Sequence, residues 1–224
     1  MSTRLSGFSA TFIRDTRDTP LDAHKGVFET VDALVDPKVL GSSDNVLRFF
    51  GQGSYYRQIK NGPVWANSIR YGAVSSFGGE HVPFSERFFS GGAYSLRGFA
   101  LNGAGPQDVA LLCSQENNPS SCTARVPVPV GGRQLLILNS ELRFPFPTLP
   151  LVGTNLGGVL FYDGGNVYSA INLREIARDY TNTVGAGLRF RTPIGPLRID
   201  FGRNLNPLPG TKALNIFVTL GQAF

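Results

Sequence analysis

Apolar and polar residues alternate with a period of two along most of this chain, which is the spacing of side chains on the two faces of a β-strand. The alternation is clearest in residues 214–224, and in residues 197–203 the second face carries Arg198, Asp200 and Gly202. We predict about nine antiparallel strands, at residues 5–14, 26–35, 45–57, 64–75, 134–144, 156–163, 183–191, 197–203 and 213–224. On the last strand one outward face is expected to hold Leu214, Ile216, Val218, Leu220, Gln222 and Phe224.

The connections between these strands form two sets. Short, proline-rich turns are expected at one end of the sheet, at 15–25, 58–63, 145–155 and 192–196. Longer loops are expected at the other end, at 36–44, 76–133, 164–182 and 204–212, with at most one or two helical turns in 171–180. Short turns at one end and long loops at the other are typical of outer-membrane β-barrels. Alternation alone does not separate such a barrel from a water-soluble β-sandwich.

Composition narrows the class of protein. The chain has 224 residues, of which 42% are hydrophobic and 17% charged, and this suits one β domain over 1–224. Its net charge of +5 is spread singly along the strands, so we expect no nucleic-acid partner. No run reaches the ~18 apolar residues of a membrane helix, but a membrane strand needs only ~10 alternating residues. No signal peptide is expected, because no apolar segment follows the first four residues.

Few residues suggest catalysis or metal binding. Cys113 and Cys122 flank a polar loop, and they predict either a disulfide in an oxidising compartment or two free thiols. His24 and His81 lie far from both cysteines in sequence, so no metal site is predicted. No Ser-His-Asp or paired-carboxylate pattern is visible, so we expect neither enzymatic activity nor a cofactor.

A glycine-rich stretch at 87–107 organises the middle of the chain, inside the long 76–133 loop. Arg97 lies there among glycines and aromatic residues, which suggests a buried cation. Since a buried cation needs acidic partners, Glu141 and Asp163 are the candidates. Two alternatives stay open: Arg97 as an exposed turn residue, and Asp163 as a turn former before Gly164 and Gly165.

Several motifs together resemble one family. They are SGGAYSLRGF at 90–99, ELRFP at 141–145, FYDGGNVY at 161–168 and VGAGLRFRTPIGPLRIDFG at 184–202, with RDTRDTPLDAHKGVF at 14–28 as a turn between strands. Their order resembles the outer-membrane protein insertase and polypeptide-transport superfamily, the bacterial surface-antigen barrels of BamA and TamA type. The resemblance extends from about residue 14 to residue 224.

The resemblance implies a transmembrane barrel in the outer membrane of a bacterium or of an organelle of bacterial descent. In that family a barrel of about sixteen strands follows soluble periplasmic repeats, and its long loop folds into the lumen. The motif Arg97, Gly98, Phe99 would anchor that loop on Glu141 and Asp163. Phe224 and Leu220 would form the C-terminal strand signal that the assembly machinery recognises. Partners would be membrane lipid, unfolded outer-membrane or secreted polypeptides, and accessory assembly subunits.

The sequence departs from the family in strand number, since only about nine strands are visible. The chain is therefore expected to be the C-terminal part of a larger barrel, a small barrel, or one copy of an oligomer. The predicted function is insertion of outer-membrane proteins or translocation of polypeptides. A passive pore or surface antigen with ligand-binding loops is the alternative, and a soluble β protein, including an enzyme, is the third possibility.

Overall fold

The computed structural model describes residues 4–78, 81–113, 122–147, 155–207 and 212–224. These residues form eleven strands and one short α-helix, with 3₁₀ turns at Lys38–Leu40 and Phe84–Glu86. The elements in chain order are β1 (Phe8–Asp15), β2 (Gly26–Asp36), β3 (Val46–Gln58), β4 (Val64–Ser76), β5 (Gln107–Cys113), β6 (Cys122–Pro129), β7 (Gln134–Pro145), β8 (Leu156–Tyr168), α1 (Leu173–Asp179), β9 (Thr181–Phe190), β10 (Leu197–Asn204) and β11 (Leu214–Leu220).

Nine of these strands form one antiparallel sheet in the order β1-β2-β3-β4-β7-β8-β9-β10-β11. Each strand therefore pairs with its neighbour in the chain, except that β5 and β6 form a separate hairpin between β4 and β7. The nine predicted strands are confirmed. Among the described strands β1 and β11 are the two edges of the sheet, with β1 paired only to β2 and β11 only to β10.

The sheet has an outer face that is exposed and apolar, and an inner face that is mostly buried. Ile69, Leu160 and Ile216 point outward and are 50%, 53% and 58% exposed. Residues on the opposite face, such as Ser68, Phe161 and Asp200, point inward and are buried. An apolar face that meets lipid and a polar face that lines an interior are the two faces of a membrane barrel wall.

Residues 82–104, here called the inner segment, fold back over the inner face. The segment packs on the nine-stranded sheet, here called the wall, at the end that carries the long loops. We call this cluster the apolar patch, and the inner segment contributes Val82, Phe88, Leu96 and Ala104 to it. The wall contributes Val46, Val74, Leu135, Ile137 and Val167 to this patch. The inner face is thus not uniformly polar, and the inner segment covers the larger of two apolar clusters on it. The smaller cluster contains Ala23, Tyr56 and Ala66, with Phe224 packed against them.

Three predicted elements differ from the structure. Strand β8 continues past Asp163 to Tyr168, so Asp163 is a strand residue and the turn interpretation is wrong. The 76–133 loop contains the hairpin β5–β6, which its short, proline-interrupted runs did not reveal. Strand β11 ends at Leu220, because Gly221 adopts a left-handed backbone conformation with φ of +87°.

The last residues consequently leave the outer face on which they were predicted to lie. The Gln222 amide nitrogen donates to Asp22 of the β1–β2 turn at 2.7 Å. The Phe224 ring stacks on Tyr56 of β3, with 6.3 Å between the ring centroids. The C-terminal tail therefore crosses the inner side of the sheet from the β11 edge to β3. No helix of the described residues is long and apolar enough to cross a membrane.

Candidate functional site

Arg97 lies in the turn at residues 96–99 of the inner segment, here called the tip. Its side chain is fully buried against the wall. Its guanidinium group makes two parallel hydrogen bonds to Asp163, from Nε to Oδ2 at 2.8 Å and from Nη2 to Oδ1 at 2.7 Å. The remaining nitrogen, Nη1, donates to Glu141 Oε1. Two-pronged pairing of this kind fixes direction as well as distance. The carboxylates therefore determine where the tip of the segment lies on the wall.

The backbone of the tip is bound as closely as its side chain. The backbone nitrogen of Arg97 also donates to Asp163 Oδ2 at 3.1 Å. The guanidinium carbon lies 3.5 Å from the centre of the Phe161 ring, a short cation–π contact. Asn139 donates from Nδ2 to the Ser95 carbonyl and to Asp163 Oδ1, both at 2.7 Å. The acid that receives Arg97 is thus itself held in place by a neighbouring strand.

Two glycines make this close approach possible. A Cβ on Gly98 would lie 2.2 Å from Thr183 Oγ1, and a Cβ on Gly202 would lie 2.2 Å from the Arg97 carbonyl oxygen. Neither position has room for a side chain, so the backbone of the tip touches β9 and β10 directly. The RGF motif therefore needs glycine at position 98 because the backbone there is in direct contact with the wall.

Further charged side chains extend the site into what we call the charged cluster. The Arg143 Nε donates to Glu141 Oε2 at 2.7 Å, and Arg189 Nη1 donates to Asp200 Oδ1 at 2.6 Å. Arg198 Nη1 lies 3.3 Å from Asp200 Oδ2. The cluster contains four arginines and three carboxylates, all less than 9% exposed: Arg97, Arg143, Arg189, Arg198, Glu141, Asp163 and Asp200.

Hydrogen bonds to the inner segment become fewer toward the β11 edge, and those that involve β11 itself are uncharged. From β10, Arg198 Nη2 donates to the Ala93 carbonyl at 2.7 Å. From β11, Asn215 Nδ2 donates to the Gly98 carbonyl at 2.8 Å, and Tyr94 donates to the Leu220 carbonyl at 3.0 Å. The tip is therefore bound by ionic contacts to the middle of the sheet and by neutral bonds to its last strand.

The charged cluster is suited to holding the inner segment in place, because its carboxylates face guanidinium groups. Among the described residues no group of three or more His, Cys, Asp or Glu side chains could hold a metal ion. Each carboxylate of the charged cluster faces at least one guanidinium group within 4.0 Å.

The structure brings together most of the residues selected from the sequence. Arg97, Glu141 and Asp163 are in contact, and Gly98 and Phe99 lie on the same turn, where Phe99 packs beside the apolar patch. Leu220 and Phe224 lie apart from this site, at the end of β11 and against Tyr56. The side chains of Cys113 and Cys122 lie outside the described residues. The strand register sets their backbones opposite each other, and the disulfide stays a prediction.

Sequence reasoning did not assign Arg189, Arg198 and Asp200 to the site. All three follow from the alternation, because they fall on the same polar face of β9 and β10 that Glu141 occupies on β7. Their contact with Arg97 depends on strand register, which pairs Arg189 with Arg198 and Gly187 with Asp200. A strand pattern alone does not supply that register.

An antiparallel wall with an apolar outer face and a charged inner face that clamps a folded-in loop defines a membrane β-barrel protein. The chain matches the Omp85 superfamily domain over residues 2–224 and belongs to that superfamily. The family resemblance seen in the motifs is thereby confirmed.

Several individual proteins are similar to this chain. An outer membrane protein assembly factor BamA of Nitratidesulfovibrio vulgaris is 29% identical over 192 residues, which cover 85% of this chain and 22% of that protein. The BamA of Neorickettsia risticii is 26% identical over 170 residues, covering 75% of this chain and 20% of that protein. A SAM50-like protein of Schizosaccharomyces pombe is 26% identical over 204 residues, covering 86% of this chain and 39% of its own length.

A solved structure shows the same fold. The crystal structure of BamA from Haemophilus ducreyi lacking POTRA domains 1–3 aligns with a TM-score of 0.72 at 21% identity, covering 94% of this chain and 40% of that one. The chain thus spans about a fifth of the length of the bacterial relatives that it matches.

Proposed function

We propose that this chain is the wall of an outer-membrane β-barrel that inserts and assembles other outer-membrane proteins. The observation that carries the proposal is the clamped inner segment, with Arg97 seated on Glu141 and Asp163 inside an Omp85 wall. The names of the bacterial relatives, outer membrane protein assembly factors, support the same activity. The location is the outer membrane of a bacterium or of an organelle of bacterial descent.

The wall would act through its unpaired edge. A client polypeptide can add a strand to an exposed edge using backbone hydrogen bonds, without any nucleotide. Strand β11 is such an edge among the described residues, and only neutral hydrogen bonds connect it to the inner segment. It can therefore move while the ionic clamp keeps the middle of the wall in place.

The partners follow from this activity. Unfolded outer-membrane polypeptides are the clients, membrane lipid covers the outer face, and accessory assembly subunits support the insertion. Translocated secreted polypeptides are a second class of client that the same edge could template. Neither nucleic acid nor a cofactor takes part.

A liposome assay with a position-specific crosslinker tests the proposal. The full-length protein is reconstituted, and a small unfolded outer-membrane barrel is added as the client. A photoreactive residue replaces Ile216 on β11 in one variant and Leu160 in the middle of the sheet in a matched control, since both point outward and are 58% and 53% exposed. We expect the client to insert and to crosslink at position 216 but not at 160.

Two results would overturn this proposal. Ion conductance without client insertion would identify a passive pore. Insertion with equal crosslinking at both positions would show that the β11 edge does not template the client.

A further inference from the structure

The outer face of the sheet contains a furrow over two glycines of β3. Gly51 and Gly53 are consecutive outward positions of β3. Gly51 lies between Val31 of β2 and Tyr71 of β4, and Gly53 lies between Glu29 of β2 and Ile69 of β4. Glu29 is ion-paired with Arg14 of β1 at 3.3 Å. The missing side chains leave a shallow depression of about 500 Å³, continued by a second of about 370 Å³. The furrow lies on the face that meets lipid.

Neither glycine is needed for backbone conformation or for space. A Cβ on Gly53 would meet only Ile69 Cγ2, at 3.8 Å, and a Cβ on Gly51 would first meet the Phe49 ring at 3.7 Å. Both distances are ordinary van der Waals contacts, in contrast to the impossible ones at Gly98 and Gly202. A methyl group would therefore fit at either position, and a longer side chain would extend into the furrow. The glycines therefore keep a space open.

A polar group borders this space toward the short-turn end of the sheet. Trp65 Nε1 donates to Ser140 Oγ at 3.1 Å, and Ser140 Oγ donates to Asn67 Oδ1 at 2.9 Å. These bonds use the oxygen of Asn67. Its amide N–H groups have no hydrogen-bond partner among the described residues, so they are available as donors to an acceptor outside the chain. Asn67 and Ser140 both line the depression. A donor on a lipid-facing wall is costly unless an acceptor meets it.

The aromatic residues indicate the depth of this polar group. Trp65, Tyr55 and Tyr162 lie on the outer face close to it, and such residues form the girdle at a membrane–water interface. The short-turn end of an outer-membrane barrel is its periplasmic end. Asn67 thus lies at the level of the glycerol esters of the periplasmic leaflet. Gly53 lies just beyond it, opposite the ion-paired Glu29, and Gly51 lies farther from the short-turn end, between Val31 and Tyr71, at the level of the acyl chains.

We propose that the furrow binds one phospholipid of the periplasmic leaflet. One acyl chain lies over Gly53 and Gly51, and an ester carbonyl oxygen accepts a hydrogen bond from the Asn67 amide. Because the surrounding lipid is as apolar as the wall, the selection comes from close packing in the furrow and from this hydrogen bond.

Trp65 provides a direct probe, because it is the one tryptophan in the 224 residues. The full-length protein, with any tryptophan outside this chain replaced by phenylalanine, is reconstituted in phosphatidylcholine vesicles. A minor fraction of the lipid is phosphatidylethanolamine brominated in mid-chain, which quenches tryptophan fluorescence on contact. We expect quenching roughly threefold stronger than random mixing gives, as a modest preference for the site predicts.

Three variants locate the binding. Gly53→Leu fills the furrow and Asn67→Leu removes the donor, and both should reduce the quenching to the random level. Ala186→Leu, on an exposed outward position of β9, is the matched control and should leave the quenching unchanged. Each variant is first tested for folding by its heat-modifiable gel mobility, and Gly51→Leu replaces Gly53→Leu if the latter does not fold.

The proposal is overturned if wild-type quenching equals random mixing, which would mean that only fluid lipid touches this face. It is equally overturned if the folded furrow-filling variant is quenched as strongly as the wild type. Loss of quenching in Gly53→Leu but not in Asn67→Leu would remove the hydrogen bond from the proposal.

Discussion

The inner segment rests on two regions of the same wall that hold it by different forces. At the long-loop end Val82, Phe88 and Leu96 of the inner segment pack on β3, β4 and β7 in the apolar patch, where nonpolar side-chain contacts dominate. A few residues farther along, the charged cluster holds Arg97 through paired hydrogen bonds and three acids. Apolar packing tolerates changes of shape, whereas an ion pair with fixed geometry does not. The comparison shows that apolar packing contributes to binding of the inner segment to the wall, whereas the ion pairs fix the position of Arg97.

Removing one acid should have the largest effect. Asp163→Ala takes away the two-pronged partner of Arg97 and leaves a buried guanidinium group with Glu141 and the more distant Asp200, so we expect a loss of about 3–5 kcal/mol in the free energy of unfolding. Urea titration of the protein in lipid vesicles measures it. Asp179→Ala is the control, because its pair with Arg178 is 41% and 73% exposed and should change stability by less than ~1 kcal/mol. Equal effects of the two variants would contradict the account.

Conservative substitutions should separate the two regions more sharply. Arg97→Lys keeps the charge but loses the parallel hydrogen bonds to Asp163, which should cost about 2–3 kcal/mol. Leu96→Met keeps the volume of the neighbouring buried residue and should cost less than ~1.5 kcal/mol. Both are measured by the same urea titration. If Leu96→Met proves the more damaging change, packing rather than charge positions the tip.

Closing the space behind the tip should have an intermediate effect. In Gly202→Ala the new methyl group meets the Arg97 carbonyl oxygen, and we expect a cost of about 1–3 kcal/mol together with displacement of the inner segment. Faster cleavage of the 76–133 loop by protease detects the displacement. Gly53→Ala, on the outer face, has room for its methyl group and serves as the control. Cleavage at the wild-type rate in Gly202→Ala would argue against backbone contact there.

The smallest effect is expected at the β11 edge. Tyr94→Phe keeps the ring beneath Arg198 and removes only the hydrogen bond to the Leu220 carbonyl, so it should cost about 0.5–1.5 kcal/mol. Amide hydrogen exchange in β11 should become faster while exchange in β8 stays the same. A similar acceleration in both strands would mean that the edge is not separately held.

The sequence predicts the wall well because a period of two needs only local information. It also identifies Arg97, Glu141 and Asp163, since a lone cation among glycines requires acids. It does not predict the apolar patch, whose wall residues Val74 and Ile137 lie on the face that carries charges farther along the same strands. It also misplaces Phe224, because one left-handed residue, Gly221, turns the tail inward. Contacts that depend on the folded-in loop or on a single backbone angle are not encoded in alternation.

The central claim is that Arg97 holds the inner segment against the wall, and amide hydrogen exchange tests it most directly. Exchange is compared between the wild type and Arg97→Ala in the full-length protein in lipid vesicles. The account predicts that amides of residues 88–104 exchange about a hundredfold faster in the variant, as expected for a loss of roughly 3 kcal/mol in local stability, while those of β7 and β8 do not change. Equal protection of residues 88–104 in both proteins would contradict it.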